Sequence, residues 1–347
     1  MVTLGTDSHK QSHTLVAVDS NGRQLSELRI GATATGHLQA MAWARQWPER
    51  RWAMENCRQL SRGLERDLLT VGEQVVQVSP KLMGRSRRAG RQLGKSDPID
   101  ALAVARVALR EPDLPVARLE GKSRELKVLV DHREDLVGER TRIQNRLLWH
   151  LHELEPGWQI AASGLTRLVV LKEVARRLEG REGRVAQVAR DLVEMLAALT
   201  MSVKRLQRDI EVMAAELAPS LVSLPGCAGL TAAKLVAETA DVRRFRSSGA
   251  FAMHNGTAPI PVWSGNEQRH RLNRGGNRQL NAALHRIAIT QLRLGGAARA
   301  YIEHRMSLGN TKTEAIRALR RQLSDEVYRR LRLDSLGRSD LTISAAA

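Results

Sequence analysis

The chain has 347 residues, more than one ordinary domain holds, so two or three folded units are expected. It carries 55 Lys and Arg against 37 Asp and Glu, a formal charge of +18, which points to a polyanionic partner, nucleic acid before a membrane surface or an acidic protein. Aromatic residues make up only 3%, which argues against a base-stacking single-strand platform, and two cysteines provide neither a disulfide framework nor zinc spacing.

The start, Met1-Val2-Thr3-Leu4-Gly5-Thr6-Asp7, lacks the basic and apolar regions of a signal peptide. No apolar run approaches the ~18 residues of a membrane span. A cytoplasmic, nucleoid-associated protein with no membrane contact is expected. Residues 1–118 read as α/β. The strand candidates Val2–Asp7, His13–Asp19 and Arg23–Ile30 come first, the last two joined at Ser20-Asn21-Gly22, where Asn-Gly signals a hairpin with both residues at positive φ. Helix His37–Trp47, strand Trp52–Glu55, helix Arg58–Thr70, strand Gln74–Val78 and helix Pro98–Leu109 follow. The order βββαβαβα is that of a ribonuclease-H-like fold.

Residues 119–218 read as long helices. Leu192, Leu196, Leu199, Val203, Leu206, Ile210, Met213 and Leu217 alternate steps of four and three, the seam of a coiled coil. A weaker stripe (Leu126, Leu129, Leu136, Ile143, Leu147, Leu154) is interrupted by Arg133, Arg140 and His150. Packing within the chain would explain both stripes, but a seam this regular favours association between chains, a dimer or tetramer. Residues 219–310 open at Leu224-Pro225-Gly226 as a third, mainly helical domain. A basic helix is expected over 311–333, and the polar 334–347 as a fraying tail.

Four carboxylates stand where a metal centre could form. Asp7 ends the first apolar strand, Glu55 ends Trp52-Ala53-Met54, and Asp97 and Asp100 open a helix. Capping explains the last pair equally well, with Asp97 as N-cap, Pro98 at N1 and Asp100 at N3. Together the four could hold two Mg²⁺ ions roughly 4 Å apart, the arrangement that serves phosphoryl displacement, with the carboxylates within about 8 Å of one another. Just before them, Lys81, Arg85, Arg87, Arg88, Arg91 and Lys95 run without an intervening acid and read as a phosphate clamp. Leu224–Lys234 resembles a helix-hairpin-helix, although a packing turn explains it equally. Ser264 is locally a turn serine. It precedes Arg269, Arg271, Arg274 and Arg278, four arginines that could bind nucleic acid and stabilise attack of a serine on phosphorus.

Taken in order, these segments resemble the transposases of the insertion sequence 110 family, relatives of the Piv DNA invertases. Gly5-Thr6-Asp7-Ser8-His9-Lys10 is similar to the family's first acidic motif, Met54-Glu55 to the second, and Lys95-Ser96-Asp97-Pro98-Ile99-Asp100-Ala101 to the last two. Pro225–Ala232, Gly256-Thr257-Ala258-Pro259 with Ser264-Gly265, and Gly275-Gly276-Asn277-Arg278-Gln279-Leu280 match its C-terminal domain. Thr257 and Ala228 depart from the usual Leu and Gly. The resemblance implies a RuvC-like domain whose acidic tetrad binds Mg²⁺, a coiled-coil connector, and Ser264 as a nucleophile forming a covalent link to DNA. It also implies an active site shared between protomers and a bridge RNA pairing with donor and target double-stranded DNA. Two other readings compete: a RuvC-type junction nuclease in which Ser264 is structural, and a non-catalytic nucleic-acid-binding protein. An actin-like ATPase fits poorly, since Ser8-His9-Lys10-Gln11 is no glycine-rich phosphate loop.

Overall fold

Two apolar, β-branched runs open the chain and pair with each other: β1 (Val2–Ser8) and β2 (Ser12–Val18) are antiparallel, in register from Thr3 opposite Val18 to Ser8 opposite His13. β3 (Gln24–Gly31) joins the other edge of β2. The chain then crosses through α1 (Ala34–Ala44), capped by the Thr33 hydroxyl accepting from the Gly36 N–H, to β4 (Arg50–Glu55), parallel to β1. α2 (Arg62–Thr70), β5 (Val75–Val78) and α3 (Asp97–Arg110) follow. The sheet order is β3-β2-β1-β4-β5, so the mixed sheet, an antiparallel meander extended by parallel strands, is as the sequence predicts. In the computed structural model the described residues are 1–55, 60–79, 82–83, 96–119, 121–265 and 267–344, excluding the side chains of 264, 267–269 and 337–344. The basic run Lys81, Arg85, Arg87, Arg88, Arg91 and Lys95 lies outside the described residues.

The sheet is covered on both faces. Leu4, Leu15, Ala17, Trp52 and Met54 meet Ala40, Leu64 and Leu68 of α1 and α2, while Val16, Val18 and Ala53 lie against Ala101, Val104 and Ala105 of α3. The β2–β3 turn differs from the predicted one. Only Gly22 has positive φ (+78°), and the Asp19 carboxylate accepts from the Asn21 and Arg23 N–H groups, each at 2.9 Å. The aspartate supplies the local acceptor, so Asn21 has no need of the left-handed region.

Residues 1–119 and 120–347 form two compact units, each with its own core. In the second, α4 (Lys122–Leu154, 33 residues) and α6 (Arg184–Leu217, 34 residues) are each about 50 Å long at 1.5 Å per residue. They run antiparallel, with Lys122 beside Glu216 and Arg133 donating to Gln207. Their connection carries α5 (Leu168–Leu178). At that end Ile143, Leu147 and Leu151 of α4 pack against Leu192 and Leu196 of α6. At the other, Leu126 and Val130 join Leu206, Ile210 and Leu217 in the main core. This corrects the expectation of a seam between chains. Every position of the α6 stripe is buried or partly buried inside one chain, because the weaker stripe of α4 and the neighbouring helices cover it. The interrupting Arg133 and Arg140 keep buried Nε atoms without hydrogen-bond partners, and burial lowers both guanidinium pKa values.

A single helical turn (Pro219–Val222) leads to α7 (Gly229–Thr239). Gly226, in the turn between them, and Gly229, the first residue of α7, both lie in close packing. A Cβ on Gly226 (φ +80°) would stand 3.1 Å from the Ile287 carbonyl oxygen, and one on Gly229 would meet the Glu211 side chain at 2.8 Å. Burial also pushes the Cys227 thiol up to about 12, so it is no thiolate. After α8 (Ser248–Asn255) comes an element the mainly helical expectation omitted, the antiparallel hairpin of β6 (Ile260–Ser264) and β7 (Glu267–Arg271). α9 (Arg278–Leu294), α10 (Ala297–Ser307) and α11 (Lys312–Ser344) complete the unit. α11 is no free basic appendage, since Ala315, Leu319, Leu323, Val327 and Leu331 are buried in the main core. Nor does the helix end at 333. Asp334 and Ser335 are buried, and the Asp334 carboxylate accepts from the Ser220 N–H at 3.1 Å.

Candidate active site

Small residues on one face of the sheet let α3 press onto it, and that approach sets the site. A Cβ on Gly5 would lie 2.2 Å from the Ala101 carbonyl oxygen and 2.7 Å from the Ala105 nitrogen. Only glycine admits the helix so closely. Two residues beyond Gly5 along β1 is Asp7; one helical turn before Ala101 is Asp97. The pleat keeps Gly5 and Asp7 on the same face, so both carboxylates reach the same end of the sheet. Glu55 extends β4 one residue past the Thr6–Met54 pair, level with Asp7 on the adjacent parallel strand. Asp100 is buried in the first turn of α3.

The start of α3 is not the capping arrangement expected. Ser96, in extended conformation, precedes the first helical residue, Asp97 is at N1 and Pro98 at N2, and no side chain caps the helix. The Asp97 carboxylate instead lies 3.2 Å from His9 Nε2, which is 3.0 Å from the Asp7 carboxylate. Asp7, His9 and Asp97 each offer a ligand atom, all within 4.8 Å of one another. His9 was not singled out in the sequence: it lies within the segment that resembles the first acidic motif, but nothing in that motif or in the strand pattern marks the histidine as a ligand.

Asp7 is 8% exposed. Burial pushes its carboxyl above the ordinary value, His9 pulls it down, and the charges of Asp100 and Asp97 push it up again. A buried carboxylate crowded by two others favours a cation among them. The donor set, carboxylate oxygens with one imidazole nitrogen at its edge, suits a divalent ion.

Ser264 is the last residue of β6, opposite Glu267 and beside Gly265 (φ +61°) at the hairpin end. Arg269 and Arg271 lie on β7 opposite Val262 and Ile260. Arg274 and Arg278 line a separate cavity farther down, joined there by His285, Arg317 and Arg320, three residues that the sequence pattern did not single out. Among the described residues no helix is long and apolar enough to cross a membrane.

A family model described as a transposase of the DEDD, IS110 type matches residues 4–156, and a second, described as the transposase IS116/IS110/IS902 family, matches 218–303. The insertion element IS116 44.8 kDa protein of Streptomyces clavuligerus is 28% identical over 95% of this chain and 94% of its own length. The IS900 42 kDa protein of Mycobacterium paratuberculosis is 24% identical over 99% of each. Among solved structures, Thermus thermophilus RuvC in complex with a Holliday junction substrate aligns at 16% identity over 32% of this chain and 95% of that one, with a TM-score of 0.26. The two family models fall on the two segments that carry the acids and the hairpin serine, and the chain belongs to the IS110 family of transposases.

Proposed function

We propose that the protein excises and inserts a mobile DNA element by breaking and rejoining double-stranded DNA through a serine-linked intermediate. The observation that carries the metal half of this reading is the meeting of Asp7, His9 and Asp97 within 4.8 Å. Asp7, Glu55, Asp97 and Asp100 would hold the ions, two Mg²⁺ by the number of carboxylates. When bound, such ions neutralise charge that develops on phosphate oxygens. His9, half exposed, bridges two of the acids and is placed to steady their spacing.

The covalent half rests on Ser264 standing at the end of a hairpin whose second strand carries Arg269 and Arg271. Its hydroxyl would give up a proton and attack phosphorus, forming a phosphoserine ester as the sugar oxygen leaves and takes a proton. The ester keeps the bond energy of the phosphodiester, so a second sugar hydroxyl can reverse the step and join a new strand. The +18 charge suits a guide RNA as well as DNA. Self-association belongs to the same reading, through surfaces other than the buried α6 seam.

The decisive test is a labelled-DNA reaction resolved on denaturing gels. Ser264→Ala should bind DNA yet yield no covalent protein–DNA adduct. Asp97→Ala should abolish strand cleavage while the protein remains folded, since its carboxylate does not cap the helix. Wild-type recombination by Ser264→Ala would replace this reading with a junction nuclease that cuts by water.

A further inference from the structure

At the root of the β6–β7 hairpin the second unit holds a cavity of about 700 Å³, within the range of small-ligand sites. Its polar lining is strongly basic. Arg274 and Arg278 come from the loop that follows β7 and from the start of α9, His285 from α9, and Arg317 and Arg320 from α11, with Leu272 at the edge. Among the described residues no carboxylate lines it; Glu314, off the lining, accepts from the Thr311 N–H and hydroxyl and feels the charge of Arg317. A solvated basic face would look different. Arg320 is half-buried, and its Nε is shielded from solvent without a hydrogen-bond partner. Burial and the neighbouring Arg317 both lower the Arg320 pKa. A desolvated guanidinium beside other cations is costly unless an anion meets it.

The walls are held in place by glycine. A Cβ on Gly276 would stand 2.2 Å from the Gly256 nitrogen and 2.4 Å from its Cα, so the 272–277 loop can lie across the end of α8 only because both residues lack side chains. Gly256 is in the left-handed conformation (φ +76°). Asn281 then donates to the Asn255 carbonyl at 2.9 Å, and Asn273 to that of Met253 at 3.1 Å. These amides fasten the walls together, so the chemistry left to a ligand is cationic.

We propose that this cavity holds consecutive backbone phosphates of the DNA strand on which the hairpin acts. The position of the cavity argues for a strand over a free polyphosphate. From Glu267, opposite Ser264, to Leu272 is five residues, about 17 Å at the rise of a β-strand. That distance spans about five phosphates of a duplex strand along its axis. The proposal rests on the reading of Ser264 as nucleophile for its register, and on the cavity alone for its anion.

The test uses the full chain carrying Ser264→Ala, so that binding is read without cleavage. Duplex DNA affinity is measured against salt concentration for this protein and for the further changes Arg317→Gln with Arg320→Gln. The double change should lower the log–log salt slope by about 2, close to 1 for each phosphate that an arginine no longer neutralises. Arg274→Gln with Arg278→Gln, both exposed on the facing wall, should do the same without touching the half-buried Arg320. Uncharged methylphosphonate linkages about five nucleotides from the cleaved bond should weaken binding to the starting protein and not to the double variants. An unchanged slope in both double variants overturns the proposal. So does a loss confined to RNA, or inorganic pyrophosphate binding that DNA does not displace. If a covalent protein–DNA adduct still forms in Ser264→Ala while the slopes fall as expected, the nucleophile assignment fails and the pocket stands.

Discussion

At the residue scale, Gly5 and His13 set two measurable properties of the first unit. Gly5→Ala places a Cβ 2.2 Å from a helix carbonyl oxygen. The clash can be relieved only by lifting α3, so a loss of about 1–3 kcal/mol, typical of an overpacked core, is expected in urea unfolding. Lifting α3 also withdraws Asp97, so strand cleavage should fall further than stability alone requires. His13, 1% exposed, stacks on His37 with ring centroids 5.6 Å apart, and His37 Nδ1 lies 2.6 Å from Asp67. Burial, with the charges of His37 and His9, lowers the His13 pKa from 6.5 to about 4. The unfolded chain therefore binds a proton more readily than the folded one between those values. Stability should be full above about pH 6.5 and decline by about 3 kcal/mol as pH falls to 4. His13→Phe should flatten that slope in urea titrations taken across the range, and an unaltered slope would assign it to other groups.

At the element scale the α4–α6 hairpin replaces an interface with a core. Leu206 is 8% exposed and packs in the main cluster beside Ile210 and Leu126. Leu206→Lys buries an unpaired charge inside one chain, so it should lower the thermal midpoint by many degrees and cost helicity. Dissociation of an otherwise intact oligomer, the outcome a seam between chains would produce, is not expected. Circular dichroism with light scattering separates the two. The heptad spacing was legible because helix geometry writes burial into the order of residues. Its partner was not, since α4 supplies a stripe broken by Arg133 and Arg140 that no pairing rule singles out. A second buried network reinforces the same arrangement. Glu238 of α7 lies 2.7 Å from Lys127 of α4 and accepts from Asn277, the residue before α9. Burial alone would raise the Glu238 pKa, but these hydrogen bonds and the charges of Lys127 and Lys234 bring it below the ordinary value.

For the whole molecule, a formal +18 should make DNA affinity fall steeply with salt, with a log–log slope of about −5 or steeper for duplex. A flat response in fluorescence anisotropy would point to an acidic protein or a small ligand. The charge is also arranged. Asp7, Asp97 and Asp100 concentrate negative charge at one end of the first sheet, whereas Arg274, Arg278, Arg317 and Arg320 concentrate positive charge at one cavity of the second unit. Under the two proposals above, cations would meet the first and phosphates the second.

What the sequence by itself determined is what is local or periodic. Short apolar runs marked β1–β3, an eight-residue stripe with heptad spacing marked α6 for burial, and four acids at two strand ends and one helix start located the candidate centre, because backbone geometry converts such spacing directly into faces and ends. Tertiary structure alone decided what depends on residues far apart in the chain. It was the close fit of Ala101 over Gly5 that brought Asp97 within reach of His9 and Asp7, the folding back of α4 that closed the α6 seam, and the crossing of Gly276 over Gly256 that joined Arg274 and Arg278 to Arg317 and Arg320 in one cavity. Each is a packing contact between segments distant in sequence, and packing is set by the shapes of both surfaces, which no pattern within either segment records.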